Sequence, residues 1–231
     1  MYRYLFFDAD GTLFDFEQAE HHAFHSMARD LGLSVQNDHF LQYKACNASC
    51  WKEFEQGALT LEELKTKRFE RFSEASLFLL DANRASQSYQ NHLAGQGILF
   101  GHSLLILSTL AKRGYTLFLA TNGIAEVQRG RLKESGVSHF FKDIFISEEL
   151  GWQKPDTRYF SAMLERSNLL GEKSHCLMIG DNPESDIRGA MDSGIDSVWY
   201  NPHNQALPPD LEATYTVTRL ETILNLLAAP I

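Results

Sequence analysis

Cysteine is scarce in this sequence. Its 231 residues include three, Cys46, Cys50 and Cys176. Three is too few, and too odd a number, for a disulfide framework. The thiols read as reduced, which places the chain in the cytoplasm. Cys46 and Cys50 lie four apart on one helix face, but no second Cys or His pair accompanies them to complete a zinc site. Positive charge is also in short supply. Against 30 Asp and Glu stand 21 Lys and Arg, a net charge of −9. No basic field exists to draw in a nucleic acid or an anionic membrane. A small phosphorylated partner remains open, since one metal ion and one lysine reverse the potential locally. No apolar run is long enough to cross a bilayer, the N-terminus lacks a signal-peptide pattern, and nothing is repeated or low in complexity. The length allows one large domain, or a core domain with a smaller companion, as a monomer or homodimer.

The stretch from Tyr2 to Asp15 organises the rest. Tyr4-Leu5-Phe6-Phe7 is a continuous apolar run, as expected for a strand covered on both faces of a parallel sheet. Asp8 and Asp10 follow, two apart, and on an ideal strand they share a face. Gly11 then permits a tight turn. Two carboxylates that close repel, and one loses its charge unless a cation is present. The pair suits a Mg²⁺ site of oxygen ligands, or a carboxylate nucleophile beside a carboxylic general acid. A plainer reading is a strand-ending turn, for which Asp and Gly are common residues.

From Phe16 to about residue 95 the pattern is helical. Phe16, Ala19, Ala23, Phe24, Met27, Ala28 and Leu31 recur at three- and four-residue steps before Gly32. His21 and His25, one turn apart, read as surface residues because no His-Glu-x-x-His pattern surrounds them. Helices follow over 38–54, from the capping box Thr60-Leu-Glu-Glu63 to about Phe72, and over 76–93. A helical block this long exceeds an ordinary crossover and argues for a small bundle of its own. The domains expected are therefore an α/β core from 1–15 and 96–231, and a helical domain over 16–95.

From Gly101 strand and helix alternate. Strands are expected over 115–120, 141–147, 175–180 and 196–200, with 215–218 at an edge. Helices are expected over 103–113, 124–134, 157–168, 183–193 and 220–227, with Pro155 setting up the third of these. Such units imply a Rossmann-like, doubly wound parallel sheet with helices on both faces. Ligands of such sheets bind beyond the carboxyl ends of the strands. At those ends stand Asp8 and Asp10, then Thr121 with Asn122 and Gly123, whose hydroxyl and backbone N–H groups make a natural phosphate cradle. Lys154 comes from a loop and can neutralise a nucleophile and a phosphate. Asp181 and Asp186 offer further oxygen to a metal. Singly, Thr-Asn-Gly is a common turn, Lys-Pro a common loop pair and Gly-Asp-Asn-Pro an ordinary strand-to-helix junction; the conjunction at one sheet edge is what carries the functional reading.

Asp8-Ala-Asp-Gly-Thr-Leu resembles the first motif of the haloacid dehalogenase (HAD) superfamily in its phosphatase form, and Thr121, Lys154 and Gly180-Asp181 follow in that family's order. The resemblance implies that Asp8 is the nucleophile and a metal ligand. It implies that Asp10 protonates the leaving oxygen, deprotonates the attacking water and lends its carbonyl to Mg²⁺. Thr121 would then bind the phosphoryl group, Lys154 would order Asp8, Asp181 would bind Mg²⁺ and Asp186 would support that shell. The reaction implied is two in-line transfers through an aspartyl-phosphate. The helical insert corresponds to a type 1 cap, which closes over the site and reads the leaving group.

Asp10 argues against a dehalogenase, because a halide leaving group needs no proton. Phosphomutases of the β-phosphoglucomutase kind keep both Asp residues but carry Glu-Asp where this chain has Gly180-Asp181. Phosphonate-cleaving relatives use a cap lysine, but Lys44, Lys52, Lys65 and Lys67 read as a solvated face. The stretch Tyr43-Lys-Ala-Cys-Asn47-Ala-Ser-Cys-Trp51, with Gly57-Ala-Leu-Thr60, resembles the cap of YjjG-type pyrimidine 5′-nucleotidases. Tyr43, Asn47 and Trp51 form one helix stripe, either offering stacking and hydrogen bonds to a base or filling a bundle core around a buried Asn. Phosphatases for phosphoglycolate or sugar phosphates, and a catalytically idle fold that binds a partner, are the other readings.

Overall fold

The computed structural model describes residues 1–227. They divide into two compact units: residues 1–16, 98–125 and 135 onward, and residues 17–97 with 126–134.

The first unit is built on a six-stranded sheet. Its strands are β1 (Tyr4–Phe7), β2 (Thr116–Thr121), β3 (Phe141–Ile146), β4 (Cys176–Gly180), β5 (Asp196–Tyr200) and β6 (Tyr215–Val217), in the order β3-β2-β1-β4-β5-β6. Every neighbouring pair is parallel. β1 pairs with β2 on one side and β4 on the other, with Phe7 level with both Leu119 and Ile179. The chain runs outward in one direction from β1 and then in the other, so β1 lies at the topological switch point, where such sheets open a crevice. Leu5, Phe6 and Phe7 are fully buried, as their unbroken apolar run requires. Phe6 stacks on Phe118 at 4.7 Å between ring centres, inside a core that includes Phe145, Tyr159, Phe160 and Met178. Helices α5 (Ser103–Lys112), α7 (Ser147–Leu150), α8 (Thr157–Arg166), α9 (Arg188–Asp192) and α10 (Ile223–Leu226) accompany the strands.

The expected doubly wound α/β architecture is present, with local corrections. Helix α8 starts from Asp156, whose carboxylate accepts the Arg158 N–H at 2.8 Å, so an Asp cap rather than Pro155 at the first turn initiates it. The helix expected over 183–193 begins as a wide helical turn, Pro183–Ile187, before α9. The closing helix is shorter than expected, and its last residues fall outside those described.

The second unit holds α1 (Phe16–Asp30, from residue 17), α2 (Asn37–Glu55), α3 (Leu61–Ser76) and α4 (Ala82–Ala94). Thr60 Oγ1 accepts the Glu63 N–H, and the Thr60 N–H donates back to Glu63 at 2.8 Å, so the capping box opens α3 as its sequence indicates. The helix expected over 76–93 starts only at Ala82. Leu77 takes a left-handed backbone, and Leu77 and Leu79 are exposed, so the apolar run after Ser76 does not mark a buried helix face. An aromatic core fills the bundle: Tyr43 stacks on Phe24 and Phe69 at 5.0 and 5.3 Å and is fully buried. Helix α6 (Ala125–Ser135) was expected in the α/β core, yet residues 126–134 cluster with this unit. Gly130 has no side chain, and a Cβ there would lie 2.7 Å from the Ala94 carbonyl. Arg131, fully buried, donates from Nε to the Gln96 carbonyl at 3.2 Å. Among the described residues, no helix is long and apolar enough to cross a membrane.

Candidate active site

The strand ends of β1, β2 and β4 and the loop after α7 bring four polar groups together. Lys154 is the hub. Its side chain is almost wholly buried, and its Nζ donates to Asp186 Oδ1 at 2.6 Å, Asp8 Oδ1 at 2.7 Å and the Ala120 carbonyl at 2.8 Å. Burial alone pulls an ammonium toward its neutral form, but the charges of Asp186 and Asp8 outweigh it and hold Lys154 above the usual lysine range. Asp8 is pushed the other way. Desolvation raises its carboxyl well above the ordinary value, against the pull of Lys154 and with the repulsion of Asp186 and Asp181. Asp181 is pushed up to about 7, first by burial and then by Asp186, with Asp10 adding to the repulsion.

Two glycines make this crowding sterically possible. A Cβ on Gly180 would lie 2.1 Å from Asp186 Oδ2, and one on Gly11 2.3 Å from Asp181 Oδ2. Gly11 also turns the chain with a φ of +82°, which L residues rarely adopt. Asp186 is completely buried, and its Oδ2 accepts the Asn182 N–H at 3.1 Å. Asp181 is held from two sides: Thr12 Oγ1 lies 3.4 Å from its carboxylate, and Trp199 Nε1 donates to its carbonyl at 3.0 Å.

One oxygen each from Asp8, Asp181 and Asp186 lie within 4.8 Å of one another. Three hard carboxylate donors share one lysine, and their mutual repulsion adds to burial in shifting Asp8 and Asp181 toward protonation. Such a group fits a divalent cation such as Mg²⁺, whose charge would reverse that shift.

The structure therefore brings together Asp8, Lys154, Asp181 and Asp186, with Asp10 close enough for its charge to bear on Asp181. Thr121 is buried at the end of β2, its hydroxyl 3.2 Å from the Asn122 carbonyl. Of the phosphate cradle read from sequence, the Asn122 side chain and the Gly123 N–H are engaged within the protein. The Asn122 carboxamide accepts the Lys154 N–H at 2.8 Å and donates to the Lys154 carbonyl at 2.9 Å. The Gly123 N–H donates to Ser147 Oγ at 3.0 Å. Asn47 and Trp51 belong to the helical unit. Asn47 is buried, donating to Glu20 at 2.7 Å and accepting from Arg68 at 3.2 Å, while Trp51 packs on the cluster of Cys50, Phe54 and Leu64. Tyr43 and Asn47 of the stripe on α2 are thus buried in the bundle, and Trp51 is half-buried. Thr12, Ser147 and Trp199 escaped the sequence reading. Thr12 had a signal, as the last polar residue of the Asp-x-Asp-Gly-Thr run.

Residues 5–200 match the model of the haloacid dehalogenase-like hydrolases. The chain belongs to this family. Among its relatives, the pyrimidine 5′-nucleotidase PynA of Streptococcus pneumoniae is 35% identical over 227 residues, covering 98% of this chain and 95% of that one. The pyrimidine 5′-nucleotidase YjjG of Escherichia coli is 30% identical over 224 residues, covering 97% of each. The crystal structure of YfnB from Bacillus subtilis, bound to magnesium, superposes with a TM-score of 0.92 at 34% identity, covering 98% of both chains. The chain is accordingly a HAD-family phosphatase with the family's α/β fold.

Proposed function

We propose that this HAD phosphatase hydrolyses pyrimidine nucleoside 5′-monophosphates through a phosphorylated Asp8, with Mg²⁺ bound by Asp8, Asp181 and Asp186 and the Asp10 carbonyl. The observation that carries the chemistry is the contact of Lys154 Nζ with Asp8 Oδ1 inside a cluster of carboxylates. The lysine fixes one oxygen of Asp8 and leaves the second to attack phosphorus in line. Asp10, two residues on at the mouth of the same strand, gives a proton to the leaving ribose oxygen and takes one from the water that cleaves the acyl phosphate. Thr121 donates its hydroxyl to the transferring phosphoryl oxygens, and Lys154 offsets their charge. When bound, Mg²⁺ supplies positive charge against the phosphate and keeps Asp8 ionised. The substrate class rests on end-to-end likeness to PynA and YjjG. The three free cysteines accord with a reducing, cytoplasmic setting.

The test is a panel of phosphate esters with Mg²⁺ and with EDTA. Uridine, deoxyuridine and thymidine 5′-monophosphates are expected to be turned over best, in a metal-dependent manner, and Asp8→Asn to be inactive on all. Faster turnover of phosphoglycolate or sugar phosphates would refute the substrate class. Undiminished activity of Asp8→Asn would refute the mechanism.

A further inference from the structure

The loop that carries Lys154 is tied to the end of β2 by an unusual side chain. The Asn122 carboxamide forms a two-bond ring with the peptide groups of a single residue, accepting from Lys154 N at 2.8 Å and donating to Lys154 O at 2.9 Å. This is the hydrogen-bond pattern of one strand residue on its neighbour, made here by a side chain 32 residues away. Two further ties run from the residues after β2 to helix α7. Gly123 N–H donates to Ser147 Oγ at 3.0 Å, and Ala125 N–H to Glu148 at 2.6 Å. Only the Asn122 ring acts on the residue whose ammonium holds Asp8 and Asp186.

We propose that Asn122 is a positioning residue for Lys154, fixing its backbone by this paired hydrogen bond so that Nζ reaches Asp8, Asp186 and the Ala120 carbonyl at once. The four-bond lysine stem is flexible, and three acceptors at 2.6–2.8 Å leave little freedom at its tip. Fixing the base of the stem selects the one path that satisfies all three. Asparagine is required because the ring needs one donor and one acceptor on a planar group. Aspartate would keep the acceptor and set its second oxygen against the Lys154 carbonyl. Alanine would remove both bonds.

The inference rests on the proposed phosphatase reading for its kinetic consequence only, so it is tested on two independent readouts. The first is amide hydrogen exchange in the peptide spanning residues 151–156 of the full-length protein. Exchange at Lys154 is expected to quicken in Asn122→Ala, which removes the acceptor of its N–H, while peptides from α8 and β4 stay unchanged. The second is a double-mutant cycle with Lys154→Gln, read as kcat/KM on the best ester of the panel. Asn122→Ala is expected to cost about 10²-fold alone, the scale of a misplaced catalytic group. In the Lys154→Gln background it is expected to cost less than about twofold, because residues acting through one another are not additive. A comparable loss in both backgrounds would show that Asn122 acts directly on substrate or on the fold as a whole, and would overturn the proposal. Unchanged exchange at Lys154 would overturn it even if the protein hydrolyses none of the esters.

Discussion

Lys154→Met removes the buried ammonium while keeping most of its volume. Three hydrogen bonds of 2.6, 2.7 and 2.8 Å disappear, and Asp8, Asp181 and Asp186 lose their lysine. Removing one member of a buried ion pair costs about 3–5 kcal/mol, chiefly because the remaining charge is stranded in low dielectric. For a protein of this size each kcal/mol moves the melting midpoint by about 2–4 °C, so a fall of about 6–20 °C is expected. The sign of the pH dependence follows from the carboxyls. Asp8 and Asp181 have folded-state values above the unfolded ones, so each stabilises the fold fully below the ordinary carboxylate pKa and loses that contribution as pH rises. For Asp181 the loss is complete above about 7. The deficit of the variant should therefore be largest at pH 8 in EDTA and shrink toward pH 5. Saturating Mg²⁺ should return part of it, about 2.7 kcal/mol at a hundred times its dissociation constant. The assay is a set of thermal melts followed by circular dichroism at the two pH values, with and without the ion. A midpoint within about 2 °C of the parent at pH 8 in EDTA would refute the role of Lys154 as counter-charge, since it corresponds to 1 kcal/mol or less.

Two other substitutions probe the packing around charged groups. Gly180→Ala places a Cβ 2.1 Å from Asp186 Oδ2 and is expected to cost about 3 kcal/mol in urea unfolding and to impair hydrolysis, whereas Gly171→Ala, with nothing within 4 Å, should be silent; equal stability of the two would sink the steric argument. In the helical unit Glu20 is pushed up to about 7, first by burial and against the Asn47 hydrogen bond, so the unprotonated form costs on the order of 3 kcal/mol at high pH. Stability from this group is present at pH 5 and lost as pH rises through 7, and Glu20→Gln should flatten that slope in melts of the bundle; an unchanged slope would remove Glu20 as its source.

Much of the sheet was legible because its strands are buried on both faces. Leu5-Phe6-Phe7 and Leu177-Met178-Ile179 are uninterrupted apolar runs, and no helical period competes with them. The gathering of Asp8, Lys154, Asp181 and Asp186 was legible because parallel strands deliver their carboxyl ends to one edge. The apolar run Leu77–Leu80 misled, because Leu77 and Leu79 in it are exposed and belong to no helix. The Asn122 ring was invisible because it depends on two loops meeting, and neither loop has a pattern that records its partner. Its residue type fitted a turn equally well. The α2 stripe was ambiguous for a related reason. A polar residue among aromatics looks the same from sequence whether it faces a ligand or, as Asn47 does, bridges an interior acid and an interior base.

The pairing of Gly130 with Ala94 bears on how this protein can be recombined. The helical insert is not one continuous cassette, because the stretch 126–134 supplies one of its walls from far down the chain. A chimera that transplants residues 17–97 alone would set a foreign surface against Gly130 and Arg131. Exchange of the whole unit between relatives therefore calls for two replaced segments and four junctions in the gene, with the short second segment travelling alongside the long first one.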